Sequence, residues 1–306
     1  MAERQESIGT SLRETYDGWR TEHAAQISEV KLRASQIRSN PVSLAGLGII
    51  CLFLLVAALA PYIAPYSPMA TDIANTYAQP SLEHPFGTDS LGRDVFSRVI
   101  FGTQSSLRVA AIVLAVSFSI GVPTGLVAGY LGGKVEEAIM RITDMFLGFP
   151  PLLLPLAVSL SLGGGLDMAA IAIGLTWWPW YARIGRSQAI NVREEEYVTA
   201  AESIGVTSPR IVARHVFPNS LSPILVQASM DVGYAILMTS SLSFIGAGAN
   251  PPAAEWGLMI ATAREGFITY WWTVTFPGIA IFVTVIGFNL FGDGLRDILD
   301  PKLSRR

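Results

Sequence analysis

The stretch Glu195-Glu196-Tyr197-Val198-Thr199-Ala200-Ala201-Glu202-Ser203-Ile204-Gly205-Val206-Thr207-Ser208-Pro209-Arg210-Ile211-Val212-Ala213-Arg214-His215-Val216-Phe217-Pro218-Asn219 is a polar island in an apolar sequence. Residues 194–204 are good helix formers with two small alanines at their centre. Gly205 fits the position just past a helix end, where a left-handed backbone is needed. Ser208 and Pro209 read as the N-cap and first residue of a second short helix. Pro218 is expected to close that helix and to open the next. Two short helices bent at a glycine make a compact knob. Held between two membrane helices, it can carry movement in from a soluble partner.

Composition places the chain in a membrane. Of 306 residues, 51% are hydrophobic and only 15% charged, against about 25% charged in soluble domains. Hydrophobic stretches near 43–63, 105–131, 138–162, 168–188, 220–245 and 274–292 are each long enough to cross a bilayer as helices. The expected fold is therefore all-α and integral to the membrane, with six transmembrane helices. Its expected divisions are a tail at 1–42, a first span at 43–65, an extracytoplasmic segment at 66–104, and a five-helix core at 105–298. That core contains the knob as loop 191–219, and a short tail follows at 299–306. The first forty residues are polar, so no secretory signal is expected at the start. The knob lies between the fourth and fifth spans.

Basic residues set the orientation. Seventeen of the twenty-one Lys and Arg residues fall in the N-terminal tail, near 134–141, around the knob, or at the C-terminus. Only Arg93, Arg98, Arg108 and Arg264 fall on the other side. Both termini and the knob are accordingly expected in the cytoplasm.

Several chemistries find no support. The nearest approach to a phosphate-binding GxxxxGK[ST] loop ends in Gly133-Lys134, but Ala128 and Val135 break it. No HExxH, CxxC or GxSxG pattern occurs, so neither catalytic residues nor a metal site are expected. Cys51 is the single cysteine and cannot pair within the chain. A net charge of −3 gives no reason to expect nucleic acid.

Charges inside spans are the remaining candidates for function. Asp231 falls near the middle of the fifth span, with Gln227 and Tyr234 at helical spacing. It either faces a translocation path or is bonded to a neighbouring helix. Asp144 is expected to pair with a nearby arginine. Pro123, Pro150-Pro151 and Pro179 suggest bent helices, with Trp177, Trp178, Trp180 and Tyr181 packed about the last.

The knob resembles the coupling loop of ABC importer permeases, which carries Glu-Ala-Ala, a glycine four residues on and a proline thirteen further. Ala200, Ala201, Gly205 and Pro218 fall on that pattern, with Thr199 where the family usually has Glu. His84-Pro85-Phe86-Gly87-Thr88-Asp89, Gly92-Arg93-Asp94 and Ser97-Arg98 are similar to the branch carrying dipeptides, oligopeptides and nickel. So are Leu242–Gly246, Pro251-Pro252, Glu255-Trp256-Gly257 and Gly292-Asp293-Gly294-Leu295-Arg296-Asp297, the last as in the C-type member of a permease pair.

This resemblance, over about residues 40–303, implies half of the channel of an ATP-driven importer in a bacterial cytoplasmic (inner) membrane. Partners would be a second homologous permease, two ATP-binding cassette subunits or domains, and an extracytoplasmic solute-binding protein. ATP and Mg would be bound by those partners, with no cofactor in this chain. Thr199, Ala200, Ala201, Glu202, Gly205, Ser208, Pro209, Arg214 and Pro218 would touch the ATPase. Asp231, Gln227, Tyr234, Met238 and Thr239 would line the path. Thr239 departs from a Glu that many relatives carry. Peptides lead as cargo, with nickel chelates, glutathione, opines and some sugars also carried by relatives. The rival readings are an ion-driven secondary transporter, for which no inverted repeat is evident, and a membrane-embedded enzyme.

Overall fold

The computed structural model describes residues 40–299, and within them helices carry the architecture. Of the expected tails at 1–42 and 299–306, residues 1–39 and 300–306 lie outside the described residues. Helix α1 (Pro41–Ile63) opens where the Asn40 side chain accepts from the backbone N–H groups of Val42 and Ser43, with Pro41 in the first turn. Helix α2 (Val95–Leu131) is 37 residues long and starts ten residues before the expected span. Its N-cap is Asp94, which accepts from Ser97 N at 2.7 Å. The start was hidden because Ser97, Arg98 and Thr103 look like loop residues, yet they are buried.

Residues 138–162 do not form one continuous helix. They divide into α3 (Gly133–Leu147) and the nine-residue α4 (Leu153–Ser161), separated at Gly148–Leu152. Pro150 and Pro151 lack amide hydrogens, and the residue before a proline avoids helical geometry. Helix α5 (Leu166–Arg193) follows. After the knob come α8 (Phe217–Ile245), the short α9 (Trp256–Ala263) and α10 (Trp272–Leu299). Among the described residues four helical runs are long and apolar enough to cross a membrane: Pro41–Ile63, Val95–Leu131, Ser208–Ile245 and Trp272–Asp297.

The most extensive packing is α2 against α5. Gly121, Gly125 and Gly129 recur every four residues along α2, and a Cβ on any of them would collide with the backbone carbonyl of Trp178, Ala182 or Arg186. Small residues at this spacing let two backbones approach, the usual source of helix association in lipid. Ion pairs flank the seam. Arg108 meets Asp167 at 2.6 Å, Arg186 Nε meets Glu136 at 2.6 Å, and Arg183 meets Asp144 at 2.7 Å, the arginine partner expected for Asp144.

At the opposite end from the knob, the segments quoted from 84–98 and 251–257 close into one clasp. Asp94 caps α2 and also meets His84 Nδ1 at 2.9 Å. Arg98 is buried and donates to the carbonyls of Pro68 at 2.7 Å, Pro252 at 3.2 Å and Ala253 at 2.9 Å. The Trp256 indole donates to Val99 O, and Trp272 to Thr88 O. Glu255 caps α9 through Gly257 N and Leu258 N, and burial pushes its carboxyl above the usual carboxylate range. The buried polar groups there are thus bonded to one another or to backbone, except that Arg98 Nε has no hydrogen-bond partner and stands 3.7 Å from Asp89 Oδ2.

Candidate functional site

The knob begins with α6 (Glu196–Ser203). Its end is a Schellman turn: Gly205 N donates to Glu202 O at 2.9 Å and Val206 N to Ala201 O at 3.1 Å. Gly205 has φ +80°, in the left-handed region expected from the sequence. Helix α7 (Ser208–Ile211) follows, but its N-cap is Thr207. Ser208 is therefore the first helical residue, not the cap, and Thr207 takes extended geometry, as suits the residue preceding the turn.

A second correction concerns Pro218, which does not close a separate helix. The chain runs from Ser208 to Ile245 without a break, through a wider π-type turn over Val212–Val216. There Phe217 N donates to Val212 O, five residues back. A proline ring collides with the carbonyl four residues before it in regular helix. The widened turn just ahead of Pro218 relieves that crowding while the helix continues.

The knob is anchored from within. Val198, Ala201, Ile211 and Val216 are buried against Val122, Leu126 and Tyr130 of α2, and Ala189 and Val192 of α5. Tyr130 Oη donates to Glu202 Oε1 at 2.8 Å, tying α2 to α6. The outward side is left open. Thr199, Ala200, Glu202, Gly205, Ser208, Pro209, Arg214 and Pro218 are all exposed, whereas Ala201 faces inward. Ile204 beside the turn is 81% exposed, an apolar tip on that surface. The sequence reading omitted both Ile204 and the Tyr130 tie.

Asp231 and its neighbours form a second cluster. Asp231 is buried and accepts from Gln227 Nε2 at 2.9 Å and from Trp177 Nε1 of α5 at 3.3 Å. The buried Tyr181 hydroxyl stands beside it, outside hydrogen-bond geometry in this conformation. Of the two readings left open, the bonded one describes the side chain itself. Trp177 and Tyr234 stack with centroids 4.1 Å apart and line a cleft of about 240 Å³ at the α3–α4 break. Met238 and Thr239 do not face that cleft. Met238 belongs to the core with Ala235 and Leu242, and the Thr239 hydroxyl donates to Ala235 O at 2.9 Å. Buried polar groups must bond within the helix when no other partner is near, and Thr239 does so. Among the described residues no cluster of His, Cys, Asp and Glu could hold a metal ion.

Comparison with known proteins gives a consistent set of likenesses. Residues 121–305 match the family described as binding-protein-dependent transport system inner membrane component. Residues 31–80 match the N-terminal TM domain of oligopeptide transport permease C. A probable D,D-dipeptide transport system permease protein of Escherichia coli is 44% identical, over 87% of this chain and 89% of that protein. A dipeptide transport system permease of Alkalihalophilus pseudofirmus is 43% identical over 88% of each. The nickel transport system permease of Escherichia coli is 40% identical over 83% of this chain and 92% of its own. Among solved structures, an inward-facing form of the MetNI methionine ABC transporter superposes with a TM-score of 0.55 at 17% identity. It covers 66% of this chain and 97% of that one, a likeness of fold.

Proposed function

Since this chain belongs to the family of inner membrane components of binding-protein-dependent transport systems, we propose that it forms half of the translocation path of a peptide importer and takes ATP-driven motion through the knob. It is a multi-pass permease subunit of an ABC importer in a bacterial inner membrane, and hydrolysis of ATP belongs to separate subunits. Peptide cargo is supported by the relatives at 43–44% identity, whose names specify dipeptides.

In the proposed arrangement the chain crosses six times, by α1, α2, the broken pair α3 and α4, α5, α8 and α10. The seventeen-to-four basic asymmetry supports cytoplasmic termini and knob. A second permease completes the path, two ATP-binding cassette subunits grip the knob, and a solute-binding protein delivers cargo at the clasp end. The observation carrying this reading is the knob: an exposed outer surface with a buried inner one, continuous through Pro218 with α8. Closure of the ATPase pair would draw the knobs together and rock the rigid α2–α5 pair between two states.

Two measurements test it. Tagged chain purified in mild detergent should bring down the ATPase subunits and the second permease together. In a Cys51→Ser background, an impermeant thiol reagent should label Leu82→Cys from outside intact cells but not Thr207→Cys. Labelling at 207, or a chain that transports alone, would defeat the proposal.

A further inference from the structure

The α3–α4 break poses a physical problem. Gly148, Phe149, Pro150 and Pro151 are non-helical and exposed on this chain. Backbone out of helix at membrane depth is tolerated only where it is buried in protein or lines an aqueous cavity, because lipid offers it no hydrogen bonds. The break faces α5 at Trp177, eleven residues from the start of that helix at Leu166. That distance is about 17 Å along a helix of about 42 Å, so the cleft lies well inside the length of α5.

Its walls are aromatic. Trp177 stacks on Tyr234, and Trp180 lies 5.8 Å from Trp177 between centroids. Immediately behind the Trp177 ring is Asp231, both of whose carboxylate oxygens accept N–H groups. No Lys, Arg or His pairs with Asp231 among the described residues. The Asp231 carboxyl holds the Trp177 indole by accepting its N–H, and aromatic faces attract cations on their own account.

We propose that this cleft is a transit subsite for the primary ammonium group of the cargo. Trp177 and Tyr234 contact the ligand, and Asp231 acts as a positioning residue that fixes the indole. The assignment rests on the permease reading above. It goes beyond it by stating which chemical group is recognised and where. The subsite explains why a costly intramembrane carboxylate is placed behind a tryptophan rather than against an arginine.

The test uses the full complex in nanodiscs, without binding protein, and equilibrium dialysis of radiolabelled dialanine and N-acetyl-dialanine. Wild type should bind the free amine about tenfold more tightly than the acetylated form. Asp231→Asn, Trp177→Leu and Tyr234→Leu should each bring the ratio within about twofold. Tyr234→Leu leaves the Asp231 hydrogen bonds intact and carries the test if Asp231→Asn fails to assemble. Co-purification of the ATPase subunits is scored in every preparation. If they are absent from wild type, the permease reading fails. If they are present while wild type shows no preference for the amine, or all three variants keep it, the subsite alone is overturned.

Discussion

Replacing Gly205 tests coupling through the knob, and the structure sets the size of the effect. Gly205 sits at φ +80°, where an L-residue carries about 1–2 kcal/mol of strain. A Cβ there would meet nothing within 4 Å, so side-chain size is irrelevant and backbone preference alone is changed. The turn is held by two backbone hydrogen bonds, together contributing about 2 kcal/mol. For Gly205→Val the strain matches that figure, so intact and opened turns should be about equally populated. For Gly205→Ala about 1 kcal/mol of strain leaves the native turn favoured roughly fivefold. Gly205→Asn, a residue that tolerates the left-handed region, should behave like wild type. The complex is reconstituted with each variant, and ATP hydrolysis and uptake are measured in the same vesicles. Uptake per ATP should fall in the order Gly, Asn, Ala, Val, with Val at half of wild type or less. Insertion should be unaffected, since the turn lies outside the spans. Wild-type coupling in Gly205→Val would refute the reasoning, as would Gly205→Asn failing as badly as Val.

Arg98→Ala strips three backbone carbonyls of their donor and should lower stability by about 3 kcal/mol. Arg98→Lys, lacking the fork, should recover less than half, as read by thermal unfolding of the purified complex. Gly125→Ala places a methyl against the Ala182 carbonyl. Overpacking of that kind should remove about 1–3 kcal/mol, and unchanged thermal stability would count against the seam. Burial raises the Glu255 carboxyl above its ordinary range. Its contribution is present below the unfolded carboxyl's range and is lost as pH rises through the folded one. Wild type should therefore lose stability with rising pH in that window more steeply than Glu255→Gln, as thermal melts across pH would show.

Much of this was legible in residue spacing. The knob could be read because glycine, proline and small alanines each have a local backbone meaning, and Gly205 has the expected positive φ. The joint at Pro218 could not be read. A proline normally signals a boundary, and only a widened turn, a cooperative property of the helix, lets it sit inside one. The start of α2 looked like loop because the burial of Arg98 depends on carbonyls from residues 68 and 252–253, far away in sequence. Gly121, Gly125 and Gly129 did carry a visible four-residue period, the one signal for the α2–α5 seam that the chain offered outright. Met238 and Thr239 follow Asp231 and Tyr234 at helical spacing, but periodicity names a face, not what covers it.

The unbroken run from Ser208 to Ile245 has a mechanical consequence. Thirty-eight residues make a rod of about 57 Å, nearly twice the hydrocarbon thickness. It approaches α10 closely at Gly233, where a Cβ would stand 3.2 Å from Val285 Cα. A fulcrum at Gly233 leaves an inner arm of about 37 Å to Ser208 and an outer arm of about 18 Å to Ile245. The rod is then a two-to-one reducing lever: a displacement of about 4 Å at the knob arrives beyond the fulcrum as about 2 Å, with the force doubled. Such gearing suits a gate that must part tightly packed side chains through a short distance, and it makes the position of the fulcrum, more than the length of the stroke, the quantity that sets how far the outer end opens.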